Sequence, residues 1–130
     1  MSDRIRISSG SQFESTIGFS RAVRIGDRVL VSGTGPVSLG GSCPDDAAAQ
    51  ARRCFEIITA ALAEGGVTTA DVVRTRMYLT SVEDAEAVSA VHGELFGNIR
   101  PVATMVVVAA LLDPRWKVEI EAEAEVPPAQ

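Results

Sequence analysis

The sequence is poor in the residues that build covalent or metal-bound scaffolds. Its 130 residues include two cysteines and one histidine. Cys43 and Cys54 belong neither to a C-x-x-C pair nor to a Cys/His cluster, the patterns typical of redox and zinc sites. We therefore predict one loop thiol and one buried thiol, with no disulfide and no metal site.

Long apolar runs and excess positive charge are also missing. No segment reaches the ~18 consecutive apolar residues of a membrane span, and the N-terminal residues include no apolar run of signal-peptide length. The formal net charge is −5 and aromatic residues make up 5% of the chain, so a basic, aromatic-lined groove for nucleic acid is not expected. The sequence predicts a cytoplasmic protein that binds neither membrane nor nucleic acid.

What the sequence does contain is typical of one globular domain. Hydrophobic residues make up 46% of the chain and charged residues 22%, and a chain of this length buries a sizeable core. No internal repeat, low-complexity tract or linker divides it. Residues 1–130 are therefore predicted to form a single domain.

Hydrophobic periodicity predicts five strands and two helices. In chain order these are a hairpin of two strands over 22–34, a helix over 44–64, a strand over 71–81, a helix over 81–96, and strands over 102–110 and 116–125. Because strand–helix–strand crossovers are right-handed, both helices should lie on one face of the sheet. The expected fold class is α+β, with a sheet of split βαβ type.

The strand predicted over 102–110, VATMVVVAA, is apolar at both odd and even positions. This pattern is typical of a strand that is buried on both faces. Two helices cover only one face of the sheet, and an uncovered apolar face marks an interaction surface. We therefore predict that another copy of the chain covers the second face and that the protein is a closed homo-oligomer.

The last predicted strand carries an acidic row. Glu119, Glu121 and Glu123 are two residues apart and therefore share one face of the sheet. By the same alternation, Arg74 and Arg76 point away from the helices. We expect the two arginines to meet the acidic row, with Glu121 and Glu123 in ion pairs or in water.

Four segments of the chain occur in a family-specific order and spacing. They are IGFSRAVRIGDRVLVSGTGPV at 17–37, the Ala-Gln-Ala-Arg part of the first helix, VHGELFGNIRPVATMVVV at 91–108 and VEIEAEA at 118–124. Over residues 15–125 the chain resembles the reactive intermediate deaminase (RidA/YjgF) family, also labelled endoribonuclease L-PSP. The resemblance implies a chorismate-mutase-like fold and a homotrimer whose sheets pack around a central β-barrel, with three ligand clefts between the subunits.

The resemblance also implies an activity, the hydrolysis of reactive enamines and imines such as 2-aminoacrylate to a 2-keto acid and ammonia, without a cofactor. Glu119 matches the glutamate that positions the attacking water in deaminating members. Backbone N–H groups near Gly33 and from Ala103 to Met105 would stabilise the developing charge. The family's ribonuclease label is not expected to apply to this acidic chain.

Ala103, which precedes Thr104, departs from the pattern of deaminating members. In those members this position is an arginine that forms a bidentate pair with the substrate carboxylate. The loss of such a charged partner typically costs about 2–5 kcal/mol. Further differences are Phe19 for a tyrosine, Thr34 for a glutamine, and Ser89 and His92 for an asparagine and a tyrosine.

Another arginine could supply the missing anion-binding group. Arg76 is the first candidate, with Arg21 and Arg100 as less favoured ones. The simpler interpretation of Arg76 is a structural salt bridge across the trimer. His92 is either a packed helix residue or part of a pocket.

The sequence thus predicts a RidA-like hydrolytic deaminase of small imines and enamines, with Glu119 as its catalytic residue. The alternative is a trimeric module that binds a small metabolite or a protein in the same clefts without catalysis.

Overall fold

A computed structural model describes residues 4–127 as one mixed sheet with two helices on the same face. The elements in chain order are β1 (Arg4–Ile7), β2 (Ala22–Ile25), β3 (Arg28–Thr34), α1 (Ala47–Glu64), β4 (Val72–Leu79), α2 (Ala85–Phe96), β5 (Val102–Val107) and β6 (Val118–Glu125). A π-helical turn spans Glu14–Gly18, and 3-10 turns span Thr69–Asp71 and Val82–Asp84.

The six strands have the order β1-β2-β3-β6-β4-β5. β4 and β5 are parallel and are joined through α2, whereas β6 pairs antiparallel with both β3 and β4. β6 therefore separates the two strands that α1 connects, which is the predicted split βαβ arrangement. The α+β prediction is confirmed.

The sequence prediction missed two N-terminal elements and placed several boundaries too wide. β1 and the π-helical turn were not predicted, since the four residues of β1 alternate charged and apolar side chains without a turn signal before them. The first helix begins at Ala47 rather than at residue 44, because the Asp46 side chain caps it by accepting a hydrogen bond from the Ala49 N–H at 2.7 Å. The last strand begins at Val118 rather than at residue 116.

The core lies between the helices and the inner face of the central strands. The apolar stripe of α1, including Cys54, Phe55, Ile58 and Leu62, is buried as its periodicity predicts. On the sheet side the even-numbered residues of β6 are buried, from Val118 to Ala124. Each large apolar side chain of this kind contributes about 1.5–3 kcal/mol when fully buried.

One extra residue interrupts each of two strands that flank β6. Val31 pairs with Ala122 but Thr34 pairs with Ile120, so β3 contains one more residue than β6 in this stretch. Such bulges change the direction in which nearby side chains point. This bulge includes Gly33, near which the family resemblance implies backbone N–H groups that stabilise charge.

The second bulge overturns a prediction about β4. Strict alternation along the sequence places Val73 toward the helices and Val72 away from them. Val72 pairs with Ala124 while Arg74 pairs with Glu123, so one residue of β4 is left over. As a result Val72 is buried and Val73 is exposed. Beyond the bulge, Thr75, Met77 and Leu79 are buried as predicted.

β5 is the edge strand, and the prediction that the helices cover one of its faces is wrong. Five of its six residues are exposed, and only Met105 is partly buried against the core. α1 packs on β3 and β6, whereas α2 reaches β5 at Met105, whose sulfur lies 3.9 Å from Oγ of Ser89. The strand also ends at Val107 rather than at residue 110. Apart from Met105, the residues of this apolar strand are therefore exposed in a single chain.

Candidate functional site

The Glu119 carboxylate lies directly over the backbone of Gly33. A Cβ atom added to Gly33 would collide with Oε2 of Glu119. The β3 bulge brings Gly33 to this place, and the sheet register holds Glu119 opposite Tyr78 on the other side. A side chain at position 33 would force the end of the Glu119 side chain to move, so glycine is compatible with this position of the carboxylate.

Glu119 differs in environment from the other two members of the acidic row. It forms no ion pair within 4.0 Å among residues 4–127, and burial raises its pKa above the ordinary glutamate value of 4.5. The charge of Arg21 lowers that pKa and the charge of Glu121 raises it, both to a smaller extent. A half-buried carboxylate of this kind is suited to accept and return a proton near neutral pH.

Arg21 is buried beside the same glycine. Its Nη1 donates to the Gly33 carbonyl oxygen at 2.7 Å and to Oγ1 of Thr34 at 2.8 Å. The centroid of the Phe19 ring lies 5.4 Å from the guanidinium carbon. Phe19, Arg21, Gly33, Thr34 and Glu119 therefore form one cluster, which we call the Glu119 site.

The Glu119 site contains four of the residues predicted from the sequence and one arginine that was only a less favoured candidate. Thr34 is fully buried, and its hydroxyl donates to the Ser32 carbonyl oxygen at 2.8 Å. Its side chain is thus engaged in holding Arg21 and the bulge. A role of Thr34 in binding substrate stays a prediction.

A second group of predicted residues lies at the sheet edge. Oγ of Ser89 is 3.9 Å from the Met105 sulfur, and Nε2 of His92 is 2.8 Å from Oγ1 of Thr75. Ala103 is on the same face of the sheet, paired with Thr75. We call Ser89, His92, Ala103 and Met105 the β5 edge cluster.

His92 is packed as well as hydrogen-bonded. Its ring centroid lies 4.7 Å from that of Phe96 and 5.9 Å from that of Phe55. Burial lowers the pKa of His92 below the ordinary value of 6.5 and thus favours the neutral ring. The sequence left two roles open for His92, a packed helix residue or part of a pocket. Most of its observed contacts are those of a packed helix residue.

One chain does not bring the two groups together. Glu119 pairs with Tyr78, and Tyr78 pairs with Val106, so β4 separates β6 from β5. Ala103 lies three residues before Val106 in β5. Thr104, which pairs with Arg76, points to the face of the sheet opposite to that of Ala103. The cleft that the family resemblance implies is therefore incomplete within a single subunit.

The arginines near the acidic row are already paired. Arg76 Nη1 is 3.1 Å from Oε1 of Glu121 and 3.5 Å from Oε2 of Glu123. Glu121 also accepts a hydrogen bond from the Tyr78 hydroxyl at 2.9 Å. Arg74 contacts Glu123 at 3.3 Å. The predicted meeting of the arginines and the acidic row is confirmed. The ion pairs of Arg76 lie within one chain, so a salt bridge of Arg76 across the trimer stays a prediction.

These ion pairs line an open depression of about 300 Å³ that does not include Glu119. Arg100, the third candidate for an anion-binding arginine, is exposed in the turn after α2. Of the three candidates only Arg21 lies at the Glu119 site. Sequence reasoning ranked it low because strand alternation alone does not place residue 21 beside residue 119.

Sequence reasoning missed one buried polar residue that supports the site. The Gln50 side chain donates to the carbonyl oxygens of Pro44 and Arg115 at 2.8 and 2.9 Å and accepts from the Lys117 N–H at 2.7 Å. It ties α1 to the segment that enters β6. The only sequence signal was a glutamine among small apolar residues on the buried side of a helix.

Residues 4–127 were compared with the arrangements typical of metal sites and of membrane-spanning helices. Between residues 4 and 127 no group of three or more His, Cys, Asp or Glu side chains is arranged to hold a metal ion. No helix in that range is long and apolar enough to cross a bilayer. Cys43 is partly exposed and Cys54 is buried, both as free thiols, which confirms the predicted loop and core positions.

The family model described as Endoribonuclease L-PSP matches residues 9–126. The chain belongs to this family. The crystal structure of Rv2704 from Mycobacterium tuberculosis, a member of the YjgF/YER057c/UK114 family, superposes with a TM-score of 0.88 at 51% identity, over 95% of this chain and 100% of that chain. The crystal structure of the YjgF gene product from Escherichia coli has a TM-score of 0.80 at 27% identity, over 92% and 93% of the two chains.

A relative named 2-iminobutanoate/2-iminopropanoate deaminase, from Escherichia coli strain K12, is 31% identical over 109 residues, which are 82% of this chain and 85% of the relative. Together these similarities confirm membership in the RidA/YjgF family and the chorismate-mutase-like fold predicted from the sequence.

Proposed function

We propose that this protein hydrolyses small imines, and enamines after tautomerisation, to a carbonyl compound and ammonia. The observation that carries the proposal is the seating of Glu119 over Gly33, with a carboxylate that is half-buried and free of ion pairs among residues 4–127. The deaminase name of a relative that covers most of this chain supports the same reaction.

In the proposed reaction Glu119 holds a water molecule and takes one of its protons as the oxygen attacks the imine carbon. The C=N double bond becomes a single bond, and Glu119 passes that proton to the nitrogen, which gives a carbinolamine. Glu119 then takes the proton of the new hydroxyl group and gives it to the nitrogen, so that the C–N bond breaks, ammonia leaves and the carbon–oxygen bond becomes a carbonyl. Water is the only co-reactant, and the residues need no cofactor for these steps.

We further propose that the active form is a homotrimer around a central β-barrel. The β5 edge cluster of one subunit would then close over the Glu119 site of the next. The uncovered apolar strand β5 supports this arrangement, because an exposed apolar edge is unfavourable in an isolated chain. The cytoplasmic location stays a prediction from the sequence.

A second function is favoured by one specific observation. Ala103 offers no donor where deaminating relatives have an arginine, and it is exposed at the sheet edge. A trimer that binds a small metabolite or a protein without catalysis would tolerate that change. The two functions differ in whether Glu119 is needed for turnover.

The test is the rate of imine hydrolysis. Imino acids are generated from several amino acids by an amino acid oxidase and trapped with semicarbazide, and the protein competes with the trap. We expect the native protein to accelerate hydrolysis and Glu119→Gln to lose this activity by about 100-fold or more, the usual contribution of a positioned general base. Glu121→Gln, on the same strand and face, is the matched control and should stay active.

The pH dependence gives a second readout for the same residue. Glu119 must be ionised to accept a proton, so kcat/KM should fall as the pH drops through its pKa, which burial places above the ordinary value of 4.5. If only Ala103→Arg hydrolyses imines, the native cleft serves another ligand. If neither form does, the binding function replaces the deaminase proposal.

A further inference from the structure

Two carboxylates and one guanidinium, those of Glu14, Glu119 and Arg21, form a charged group beside Gly33. Arg21 and Glu14 are each 8% exposed. Neither takes part in an ion pair within 4.0 Å among residues 4–127, and Arg21 donates its hydrogen bonds to neutral groups of Gly33 and Thr34. A buried charge without an opposite charge is strongly unfavourable, so the arginine requires compensation at longer range.

Strand pairing and the β3 bulge place Arg21 near Glu119. Nη1 of Arg21 contacts the carbonyl oxygen of Gly33, and the Glu119 carboxylate occupies the place of a Cβ on the same residue. With ordinary backbone dimensions, Nη1 of Arg21 and Oε2 of Glu119 are therefore at most about 8 Å apart. Salt screens charges only beyond a Debye length of about 8 Å, and it screens buried groups less. The positive charge of Arg21 thus acts on the Glu119 carboxylate.

The π-helical turn over Glu14–Gly18 holds Glu14 close to the same arginine. The Phe19 N–H donates to the Glu14 carbonyl oxygen at 2.9 Å, which closes the turn two residues before Arg21. The Glu14 carboxylate is fixed by the backbone N–H and the hydroxyl of Ser9, at 3.0 and 2.7 Å. Turns of this kind are rare and often occur at functional sites. Here the turn buries a carboxylate whose charge acts on Arg21.

The environments of the two carboxylates shift their pKa values in opposite directions. Burial raises the pKa of Glu14, but the hydrogen bonds from Ser9 and the charge of Arg21 outweigh burial and leave that pKa below the ordinary value of 4.5. Burial also raises the pKa of Glu119, and there the charge of Arg21 offsets only part of the increase. In such a pair one carboxylate stays ionised and the other is the one that exchanges a proton.

Other titratable side chains face Glu119 from its own strand, from β4 and from α1. Glu121 follows on the same face of β6, and its charge raises the pKa of Glu119. Tyr78 pairs with Glu119 across the sheet, and Cys54 faces it from α1. Burial raises the pKa of both Tyr78 and Cys54, so both are uncharged where a carboxylate titrates. Among the described residues, Arg21 is therefore the positive charge that acts on Glu119.

We propose that Arg21 and Glu14 are positioning residues for Glu119: Arg21 favours the ionised carboxylate, and Glu14 shares the charge of Arg21 so that Glu119 is not drawn into a direct ion pair. This inference rests on the proposed function and adds the residues that regulate its general base. Neither residue touches the substrate in this role. A guanidinium stays protonated in proteins, so its effect on Glu119 is the same at every pH at which the carboxylate titrates.

The first measurement follows Glu119 itself, without substrate. Its carboxyl carbon is observed by NMR in protein labelled at glutamate, is identified by its loss in Glu119→Gln, and is titrated with pH. We expect Arg21→Gln to raise the midpoint by about one pH unit, because a nearby positive charge favours the ionised carboxylate. Arg21→Lys keeps the charge and should restore most of the native midpoint. Arg24→Gln is the matched control and should leave the midpoint unchanged, since Arg24 donates to the carbonyl oxygens of Gly26 and Gly65.

Glu14→Gln should give a shift of the opposite sign. It removes the negative charge but keeps an oxygen that accepts from Ser9, so we expect it to fold and to lower the Glu119 midpoint by a few tenths of a pH unit. Glu94→Gln, which removes an exposed carboxylate, is the matched control. Unless Arg21→Gln raises the midpoint and Glu14→Gln lowers it, the inference is overturned. If Arg21→Gln does not fold, the sign of the shift in Glu14→Gln decides.

The activity of the same variants separates this inference from the proposed function. The acidic limb of the kcat/KM profile should move to higher pH in Arg21→Gln and to lower pH in Glu14→Gln, whereas a merely structural role would lower the rate without moving the limb. If the midpoints shift but no imine is hydrolysed, the charge arrangement is established and the deaminase proposal is wrong. If imines are hydrolysed and the midpoints do not shift, the deaminase proposal holds and this inference is wrong.

Discussion

A single glycine controls the position of the candidate catalytic carboxylate. Gly33 does not adopt a positive φ, so an alanine there is compatible with the backbone. What glycine provides at this position is space, because the Glu119 carboxylate occupies the place where a Cβ would be. Residue 33 is therefore coupled to residue 119 by contact rather than by backbone conformation.

Gly33→Ala is expected to lower kcat for imine hydrolysis by about 100-fold, because a carboxylate displaced by roughly 1 Å loses its alignment with water and substrate. Steady-state kinetics with oxidase-generated imino acids checks this. Gly93→Ala is the control, since no heavy atom lies within 4 Å of a Cβ at that exposed helix position. Full activity in Gly33→Ala would mean that the observed seat of Glu119 is not the working one.

At the scale of elements, a helix and a loop are held together by one amide. The three hydrogen bonds of Gln50 connect α1 to the segments on either side of it in space, at Pro44, Arg115 and Lys117. The segment from Arg115 to Lys117 leads directly into β6, and Glu119 is the second residue of that strand. A buried polar side chain with all its partners present fixes one arrangement of the elements around it.

Gln50→Leu should destabilise the protein by about 2–4 kcal/mol, because it leaves buried backbone groups without partners. The free energy of unfolding in urea, at a fixed protein concentration, measures this. Arg52→Leu on the same helix should cost less than about 1 kcal/mol, since the ion pair of Arg52 with Glu94 is exposed. Similar losses in the two variants would show that the amide contributes no more than a surface pair.

At the scale of the whole molecule, β5 presents an exposed apolar edge in a single chain. Val102, Val106 and Val107 are 58%, 41% and 51% exposed. Natural sheets usually protect such an edge with charge, proline or a covering element. Proline is present only just before the strand, at Pro101, and charge is absent from it.

Sedimentation at micromolar concentration should give the mass of a trimer. Val106→Asp should shift it toward monomer, because a charge buried in an apolar interface is strongly unfavourable. Val82→Asp is the control, at a position that is 72% exposed beside α2. A native monomer would remove the support for every cleft between subunits.

Much of the fold could be predicted because the signals are local. The periodic stripe of α1, the alternation of β6 and the glycines after α1 each lie within one continuous segment. The prediction failed where one inserted residue changes the outcome, as at Val73, since a shift of one position moves a side chain to the opposite face. It failed again at β5, where apolar residues indicated burial that a single chain does not provide.

The sequence by itself determined the family and the split βαβ sheet, and it predicted Glu119 as the candidate carboxylate, because these depend on motifs and periodicities that are read along the chain. Only the tertiary structure decided which arginine accompanies it. Residues 21, 33 and 119 come together through strand pairing and a bulge. Neither feature produces a local sequence pattern from which this contact could be predicted. Contacts between distant segments depend on register, and register is a property of the assembled sheet.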